Sequence, residues 1–251
     1  MFNRFDITGK KVIVTGGSRG LGRGMAEGFH DAGCRVVIMG TNDRVYKTAE
    51  ELSTTDNKVE GVICDFSRIE DIEPAFDKAV RLLKGDLDIL VNNAGTQIRH
   101  PSVEFPLDDW EKVITVNLTA AFRMTQLAGE IMLKKGYGKI INTASLTSFS
   151  GGITIPAYAA SKGGIAQITK TFCNEWASKG INVNAIAPGY MDTDNLKGLD
   201  EERMRTIMDR LPAGRLGKPE DMIGAAIFLA SPASDYVNGH VLLVDGGWMA
   251  R

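Results

Sequence analysis

Short apolar runs rich in valine and isoleucine alternate along the chain with longer segments of helical periodicity. Runs that are apolar throughout, rather than at every second position, indicate strands that are covered on both faces. Strand and helix repeated in this order predict a parallel sheet with right-handed crossovers. No linker, low-complexity stretch or internal repeat breaks the pattern, so residues 1–251 are expected to form a single α/β domain.

The same pattern predicts the individual elements. The predicted strands are Lys11–Thr15, Arg35–Met39, Val59–Cys64, Leu87–Val91, Lys139–Thr143, Val183–Ile186 and Val241–Val244. The predicted helices are Gly20–Ala32, Val45–Leu52, Ile72–Leu83, Leu107–Lys134, Tyr158–Lys179, Glu201–Met208 and Pro219–Ala230.

Composition excludes several classes of function. The formal net charge is −2, and without a basic excess we expect no nucleic-acid partner. No apolar run approaches the length of a membrane span and no signal peptide is evident, so we expect a cytoplasmic protein without membrane contact. Cys34, Cys64 and Cys173 are far apart, with no zinc-binding spacing, so we expect buried, reduced cysteines and no metal.

A glycine-rich turn follows the first predicted strand. Thr15-Gly16-Gly17-Ser18-Arg19-Gly20-Leu21-Gly22 lies between that strand and a helix. Small residues let the backbone approach a pyrophosphate, and the helix N-terminus offers unpaired N–H groups and the positive end of its dipole. The segment therefore predicts a dinucleotide site, and the alternative is a tight strand-to-helix turn without a ligand.

The second predicted strand lacks the acidic residue that binds the ribose hydroxyls of NAD in the ordinary fingerprint. Its end reads Met39-Gly40-Thr41-Asn42. Without a carboxylate, nothing there repels a 2′-phosphate, and Arg19, or less plausibly Arg44, could pair with one. Arg19 could equally lie in solvent. NAD and NADP therefore both stay open as cofactors, and the pattern favours NADP being accepted.

Tyr158 and Lys162 lie four residues apart and hence on one face of a helix. A nearby ammonium and the positive nicotinamide of an oxidised cofactor favour a phenolate, so we expect a lowered pKa for Tyr158 and a role in proton transfer. Such a pair also arises by chance as a tyrosine packed on a lysine stem. Ser145 favours the catalytic interpretation, because it follows the Lys139–Thr143 strand at the edge where open α/β sheets bind ligands.

Taken in order, the glycine turn, Asn92-Asn93-Ala94-Gly95, Ser145, Tyr158-x-x-x-Lys162 and Pro188-Gly189 resemble the short-chain dehydrogenase/reductase family over essentially the whole chain. The resemblance implies a Rossmann-type, doubly wound sheet of seven parallel strands. It also implies a dinucleotide-binding catalytic domain and a homotetramer.

The resemblance also implies residue roles. Ser145 would steady the reacting oxygen, Tyr158 would be the general acid/base, Lys162 would bind the nicotinamide ribose and lower the pKa of Tyr158, and Asn117 would hold a water in a proton relay. The implied cofactor-binding residues are Gly16, Ser18, Arg19, Gly20, Leu21, Gly22, Asp65, Asn93, Gly95, Tyr158, Lys162, Pro188 and Gly189. Simpler roles stay open for three of these side chains: Asn93 as a cap at a strand end, Asp65 as a helix cap, and Asn117 as a locally satisfied buried group.

For the substrate, the segment from Asn93 to Pro101 and the C-terminal segment resemble family members that act on sugar acids of the 2-deoxy-D-gluconate or keto-deoxygluconate type. Arg99 could clamp a carboxylate, and Gln97 and His100 could bind hydroxyls, beside Ser145 and Tyr158. Alternatively, Arg99 lies in solvent or in a subunit contact. The expected activity is hydride transfer between nicotinamide and a secondary alcohol or ketone.

Two alternative functions remain. One is a broader ketone, polyol or 3-oxoacyl reductase that uses the same residues. The other is a nucleotide-sensing protein without turnover, which the presence of Ser145, Tyr158 and Lys162 disfavours. Near the end of the chain, Trp248 and Arg251 are expected to be ordered and to pack at a subunit interface.

Overall fold

The computed structural model describes residues 3–193 and 200–251. Seven parallel strands form one sheet in the order β3-β2-β1-β4-β5-β6-β7. The strands are β1 (Lys11–Thr15), β2 (Arg35–Gly40), β3 (Glu60–Ile63), β4 (Ile89–Asn92), β5 (Gly138–Thr143), β6 (Ile181–Pro188) and β7 (Val241–Val244). The predicted doubly wound, Rossmann-type single-domain fold is confirmed.

Helices cover both faces of this sheet. Within the described residues they are α1 (Gly20–Asp31), α2 (Arg44–Leu52), α3 (Ile69–Leu82), α4 (Leu107–Ile114), α5 (Ala120–Lys135), α6 (Pro156–Trp176), α7 (Glu201–Arg210) and α8 (Ile223–Ala230). Successive residues of a strand pack into two apolar cores, one on each face of the sheet. Val12 and Val14 pack with α1, α2 and α8, whereas Ile13 packs with α3, α5 and α6.

The neighbouring strands β5 and β6 are buried along their whole length, including polar residues such as Lys139, Asn142 and Asn184. β7 is only partly buried, because it lies at one edge of the sheet. The chain leaves β1 for β2 in one direction and returns to β4 on the other side of β1. This reversal opens a crevice at the carboxyl ends of β1 and β4, where folds of this type bind ligands.

The predicted helix Leu107–Lys134 is continuous but not uniform. A π-helical turn at Thr115–Thr119 separates α4 from α5, and Asn117 is buried within it. Such turns widen the helix locally and occur frequently at functional sites. The periodicity of apolar residues could not reveal it, because the turn is held by contacts of Asn117 with other parts of the chain.

Within the described residues, no helix is long and apolar enough to cross a membrane, and no group of three or more His, Cys, Asp or Glu side chains could hold a metal ion. Cys34 and Cys64 are buried and Cys173 is partly buried, all three as free thiols. Burial raises the pKa of the Cys34 and Cys64 thiols to about 12, which leaves them unreactive near neutral pH.

Candidate active site

A cleft of about 1010 Å³ lies at the carboxyl edge of the sheet. Its walls come from the segments that follow β1, β4, β5 and β6, together with α6, α7 and the C-terminal residues. It is lined by these predicted site residues: Gly16, Ser18, Arg19, Gly20, Leu21, Asp65, Asn93, Gly95, Gln97, Arg99, Ser145, Tyr158, Lys162, Pro188 and Gly189. The topology therefore brings residues that are distant in sequence into one cavity.

The glycine turn packs tightly on one side and is open on the other. A Cβ atom on Gly22 would lie 2.2 Å from the carbonyl oxygen of Gly16, so position 22 requires glycine for packing. Gly22 does not line the cleft itself, and its role as a cofactor contact stays a prediction. Gly20 has φ +53°, and a Cβ there would face open space with only Thr193 within 4 Å. Gly20 thus leaves room for a ligand above the start of α1.

The N-terminus of α1 fits an anion. Its cap residue, Arg19, makes no side-chain capping bond, and no acidic residue lies in the first turn. The first N–H groups of the helix therefore face the cleft with the positive end of the helix dipole. Gly20 and this helix end together fit the pyrophosphate of a dinucleotide.

The region expected to hold the adenosine ribose has no carboxylate at the end of β2. Thr41 and Arg19 line the cleft there, whereas Arg44 lies outside it. Asp65 lines the same end, but its carboxylate accepts hydrogen bonds from the backbone N–H and the hydroxyl of Ser67, at 3.0 and 2.7 Å. These two bonds lower the pKa of Asp65, so it is a carboxylate held in a fixed orientation at the cleft wall.

Asn93 joins the ends of β1 and β4. Its Nδ2 group donates to the carbonyl oxygens of Thr15 and Gly16, at 3.1 and 3.3 Å. The Thr15 hydroxyl accepts in turn from the backbone N–H groups of Asn93 and Ala94, at 2.9 and 3.0 Å. The strand-end role that the sequence left open for Asn93 is therefore present, and it fixes the glycine turn beside the cleft.

Ser145, Tyr158 and Lys162 meet at the centre of the cleft. The Ser145 hydroxyl accepts from the backbone N–H of Thr147 at 3.2 Å and lies beside the Tyr158 phenol in the cleft lining. Lys162 donates from Nζ to the carbonyl oxygen of Thr143 at 2.6 Å and lies 5.7 Å from the centre of the Tyr158 ring. An ammonium has three donors, so two remain for other partners.

The titration of Tyr158 differs from the sequence expectation. Burial raises the pKa of the Tyr158 phenol, and the hydrogen bond from Ser145 and the charge of Arg99 offset this only in part. The pKa is therefore raised, not lowered, by the residues of the chain. Burial also lowers the pKa of Lys162 to about 8, so most of it is an ammonium at pH 7.

Asn117 lies behind the cleft wall rather than in it, with 1% of its surface exposed. Its Oδ1 accepts from the Thr96 N–H at 2.7 Å, and its Nδ2 donates to the Thr96 carbonyl at 2.9 Å and to the Ser161 hydroxyl at 3.1 Å. The side chain therefore fastens the segment after β4 to α6, the helix that carries Tyr158 and Lys162. The local role that the sequence left open for Asn117 is therefore present, and its role in a proton relay stays a prediction.

The segment after β6 lines the cleft and packs closely against the segment that follows β7. A Cβ atom on Gly189 would lie 2.6 Å from the Cα of Asp245, and the Gly189 N–H donates to the Val244 carbonyl at 3.0 Å. Pro188 ends β6 immediately before it. Glycine at position 189 thus lets the C-terminal segment approach the cleft.

The residues expected to bind the substrate are divided between two locations. Gln97 and Arg99 line the cleft, but His100 does not, since its Nε2 lies 2.8 Å from a carboxylate oxygen of Asp109. Four further residues line this end that were not predicted as substrate-site residues: Arg203, Arg210, Trp248 and Arg251. The Arg210 guanidinium lies 4.5 Å from the Trp248 ring centre, which itself lies 4.6 Å from the Tyr190 ring.

Cations dominate the cleft lining. They are Arg19, Arg99, Lys112, Lys162, Arg203, Arg210 and Arg251. Among the described lining residues, Asp65 is the one acidic side chain, and it lies at the end of the cleft away from Arg99. A chain with a net charge of −2 therefore concentrates positive charge in one cavity, which attracts anionic ligands.

Comparison with known proteins adds independent information. Residues 16–249 match the family profile described as Enoyl-(Acyl carrier protein) reductase. Among curated proteins, the chain is similar to the 2-dehydro-3-deoxy-D-gluconate 5-dehydrogenase of Pseudoalteromonas atlantica, with 48% identity over the full length of both chains.

Solved structures are also similar. A putative 2-deoxy-D-gluconate 3-dehydrogenase of Agrobacterium tumefaciens with bound NADP shares 45% identity over the whole of both chains, with a TM-score of 0.91. A gluconate 5-dehydrogenase of Burkholderia cenocepacia in complex with NADP and tartrate shares 38% identity, with a TM-score of 0.94. That match covers 99% of this chain and 98% of the other.

Proposed function

The chain belongs to the short-chain dehydrogenase/reductase family, and on this premise we propose that it transfers a hydride between NADP and a keto sugar acid. The substrate class is that of 2-dehydro-3-deoxy-D-gluconate and gluconate, the compounds in the names of its relatives. Residues 1–251 act in this proposal as one dinucleotide-binding catalytic domain.

One observation carries the choice of an acidic substrate. Arg99 and Arg203 line the cleft wall near Tyr158, and Arg210 and Arg251 line the same end. A guanidinium binds a carboxylate in bidentate fashion, and a cleft with no acidic lining residue near Tyr158 within the described residues supplies no competing partner. A neutral ketone would gain nothing from this concentration of charge.

The preference for NADP rests on the opposite end of the cleft. Arg19 and Thr41 line the wall there, and the end of β2 carries no carboxylate that would repel a 2′-phosphate. The bound dinucleotide would supply or accept the hydride. Gly20 and the N-terminus of α1 would receive its pyrophosphate, and Lys162 would donate to its nicotinamide ribose.

The chain's own residues handle the proton. In reduction, the substrate ketone oxygen accepts hydrogen bonds from the hydroxyl groups of Ser145 and Tyr158. As the carbon becomes tetrahedral, Tyr158 gives its proton to the developing alkoxide, and the phenolate that remains is stabilised by the Lys162 ammonium. Oxidation runs the same steps in reverse, with the phenolate taking the proton of the alcohol.

The pKa directions fit reduction near neutral pH. The raised pKa of Tyr158 keeps the phenol protonated and ready to donate. The pKa of Lys162, about 8, keeps its ammonium present to stabilise the phenolate that forms. Above pH 8 this counter-charge is progressively lost, so we expect the reduction rate to fall there.

We further propose that the enzyme is a homotetramer of the cytoplasm. Phe122 on α5 and Phe149 after β5 are 40% and 49% exposed, and apolar rings of this size favour burial against other copies of the chain. The three free thiols fit a reducing compartment. Light scattering on a sizing column measures the subunit number, and a Phe122→Glu variant is expected to reduce it.

A substrate panel tests the proposed function. The absorbance of the reduced nicotinamide is followed with 2-dehydro-3-deoxy-D-gluconate, 5-keto-D-gluconate, D-fructose as a neutral ketose, and acetoacetyl-CoA as a 3-oxoacyl thioester. NADPH and NADH are compared at equal concentration. We expect the highest kcat/KM for a sugar acid with NADPH. A higher kcat/KM for fructose or the thioester would contradict the assignment.

A further inference from the structure

Arg99 and Arg203 come from unrelated parts of the chain to the same wall of the cleft. Arg99 lies in the segment after β4, and Arg203 lies in the first turn of α7. Across residues 3–193 and 200–251, no carboxylate lies within ion-pair distance of either guanidinium. Two cations thus face one cavity beside Tyr158, and neither has a counter-ion among the described residues.

This arrangement is electrostatically unfavourable without a ligand. Arg99 is an exposed residue, but partial desolvation at the cleft wall lowers the pKa of its guanidinium, and the nearby positive charge of Arg203 lowers it further. Arg203 also places a cation at the N-terminus of α7, the positive end of the helix dipole. The same helix end also carries the negative charges that the dipole favours, from Asp200, Glu201 and Glu202. The Asp200 side chain caps the helix by accepting a hydrogen bond from the Arg203 N–H at 2.7 Å. An anion bound between the two guanidinium groups would offset both the repulsion between Arg99 and Arg203 and the unfavourable interaction of Arg203 with the helix dipole.

Contacts at the other end of α7 fix the position of the helix. The Arg251 guanidinium donates to the Asp209 carbonyl at 3.3 Å, in the last turn of the helix, where a cation is favourable. Arg210 lies over the Trp248 ring at 4.5 Å. The C-terminal residues therefore hold α7 against the body of the protein, with Arg203 directed to the cleft.

We propose that Arg203 joins Arg99 in a two-arginine site that binds the substrate carboxylate and sets the selectivity for acids over neutral ketoses. This inference rests on the proposed function and assigns its specificity to a residue of α7. The carboxylate lies between guanidinium groups from two elements, and each contributes to binding rather than to the proton-transfer step. Both residues therefore act on KM more than on kcat.

The test compares Arg203→Gln, Arg99→Gln and the double variant with Arg205→Gln. Arg205 is exposed on the same helix and does not line the cleft, so its variant is a matched control. KM and kcat are measured with 5-keto-D-gluconate and with D-fructose at saturating NADPH, and the Kd of NADPH is measured by fluorescence. Thermal unfolding shows that each variant is folded.

We expect Arg203→Gln to raise KM for 5-keto-D-gluconate about 10-fold or more, the scale of one lost charged hydrogen bond. Values of kcat, of KM for fructose and of Kd for NADPH should change less than about 3-fold. Arg205→Gln should match the wild type. The double variant should lose less than the product of the two single effects, because both residues bind one carboxylate.

Two failures are distinguishable. If the wild type reduces 5-keto-D-gluconate and Arg203→Gln leaves its KM unchanged, or raises KM for fructose equally, the two-arginine site is refuted while the proposed function stands. If the wild type reduces fructose but no sugar acid, the proposed function itself fails, and the carboxylate site fails with it.

Discussion

At the scale of single residues, the burial of Lys162 lowers the stability of the folded state near neutral pH. Its side chain is 4% exposed and donates to one carbonyl, and burial holds its pKa near 8. The unfolded chain, with an ordinary lysine pKa of about 10.5, binds the proton more tightly. The folded state therefore carries a penalty that is fully present below pH 8 and disappears as the pH rises towards 10.5.

Replacing Lys162 by methionine should consequently stabilise the fold near neutral pH. The shift in pKa corresponds to about 3 kcal/mol, and the lost hydrogen bond to Thr143 offsets about 1 kcal/mol of it. We expect the free energy of unfolding at pH 7 to rise by about 2 kcal/mol and the gain to vanish by pH 10. Urea unfolding at both pH values measures this, with Lys170→Met on the exposed side of α6 as the control. A Lys162→Met variant that is less stable than the wild type at pH 7 would contradict the assignment.

Residue types and their order predicted three polar groups that meet in the cleft. Ser145 follows β5, and Tyr158 and Lys162 lie in the first two turns of α6, so the topology of the sheet brings them together. The direction of the Tyr158 pKa was not predictable, because it depends on burial that a sequence does not show. The sequence also offered no sign that Gly22 packs against Gly16 while Gly20 faces the cleft.

At the scale of elements, the π-helical turn between α4 and α5 links the cofactor side of the cleft to the catalytic helix. Asn117 bonds both backbone groups of Thr96 and the hydroxyl of Ser161, which itself donates to the Tyr158 carbonyl at 2.7 Å. The segment after β4 and the first turns of α6 are thus held at a fixed separation.

An Asn117→Ala variant should loosen this connection. It removes the side-chain partner of the partly buried N–H and carbonyl groups of Thr96, at a cost of about 1 kcal/mol in the free energy of unfolding. We expect kcat to fall more than 10-fold, while the Kd of NADPH changes by less than about 3-fold. Denaturant unfolding, steady-state kinetics and fluorescence titration provide the three readouts. Thr119→Ala, exposed in the same turn, is the control, and an Asn117→Ala enzyme with wild-type kcat would refute the positioning role.

Element boundaries followed the apolar runs closely in β5, whereas β6 extends two residues beyond the predicted Val183–Ile186 at each end, because Ile181 and Asn182 also pair with β5 and Ala187 and Pro188 pair with β7. The differences arise from local contacts. α6 begins at Pro156, two residues before the predicted start, because proline is favoured in a first helical turn. Arg203 lies on a helix that the sequence predicted, but the face of α7 that meets the cleft is set by the C-terminal contacts of Trp248 and Arg251.

At the scale of the whole molecule, charge is distributed unevenly. The chain is slightly anionic, yet the cleft lining is strongly cationic. Such a field raises the local concentration of an anionic substrate and is screened by salt.

Activity with an acid should therefore depend on ionic strength. Between about 0.02 and 0.5 M salt, the screening length falls severalfold, so we expect KM for 5-keto-D-gluconate to rise at least about 3-fold with NADPH saturating. KM for D-fructose should stay constant, because a neutral substrate does not respond to the field. Equal salt dependence for the two ketones would show that the cationic lining does not act on the substrate.

In the proposed reaction, Tyr158 would transfer the proton while the bound dinucleotide would transfer the hydride. The most direct measurement compares wild type and Tyr158→Phe for oxidation of NADPH by a keto sugar acid and, in parallel, for NADPH binding by fluorescence. We expect the variant to lose more than about 1000-fold in kcat while its Kd for NADPH stays within about 3-fold of the wild-type value. A variant that retains wild-type turnover would contradict this role of Tyr158.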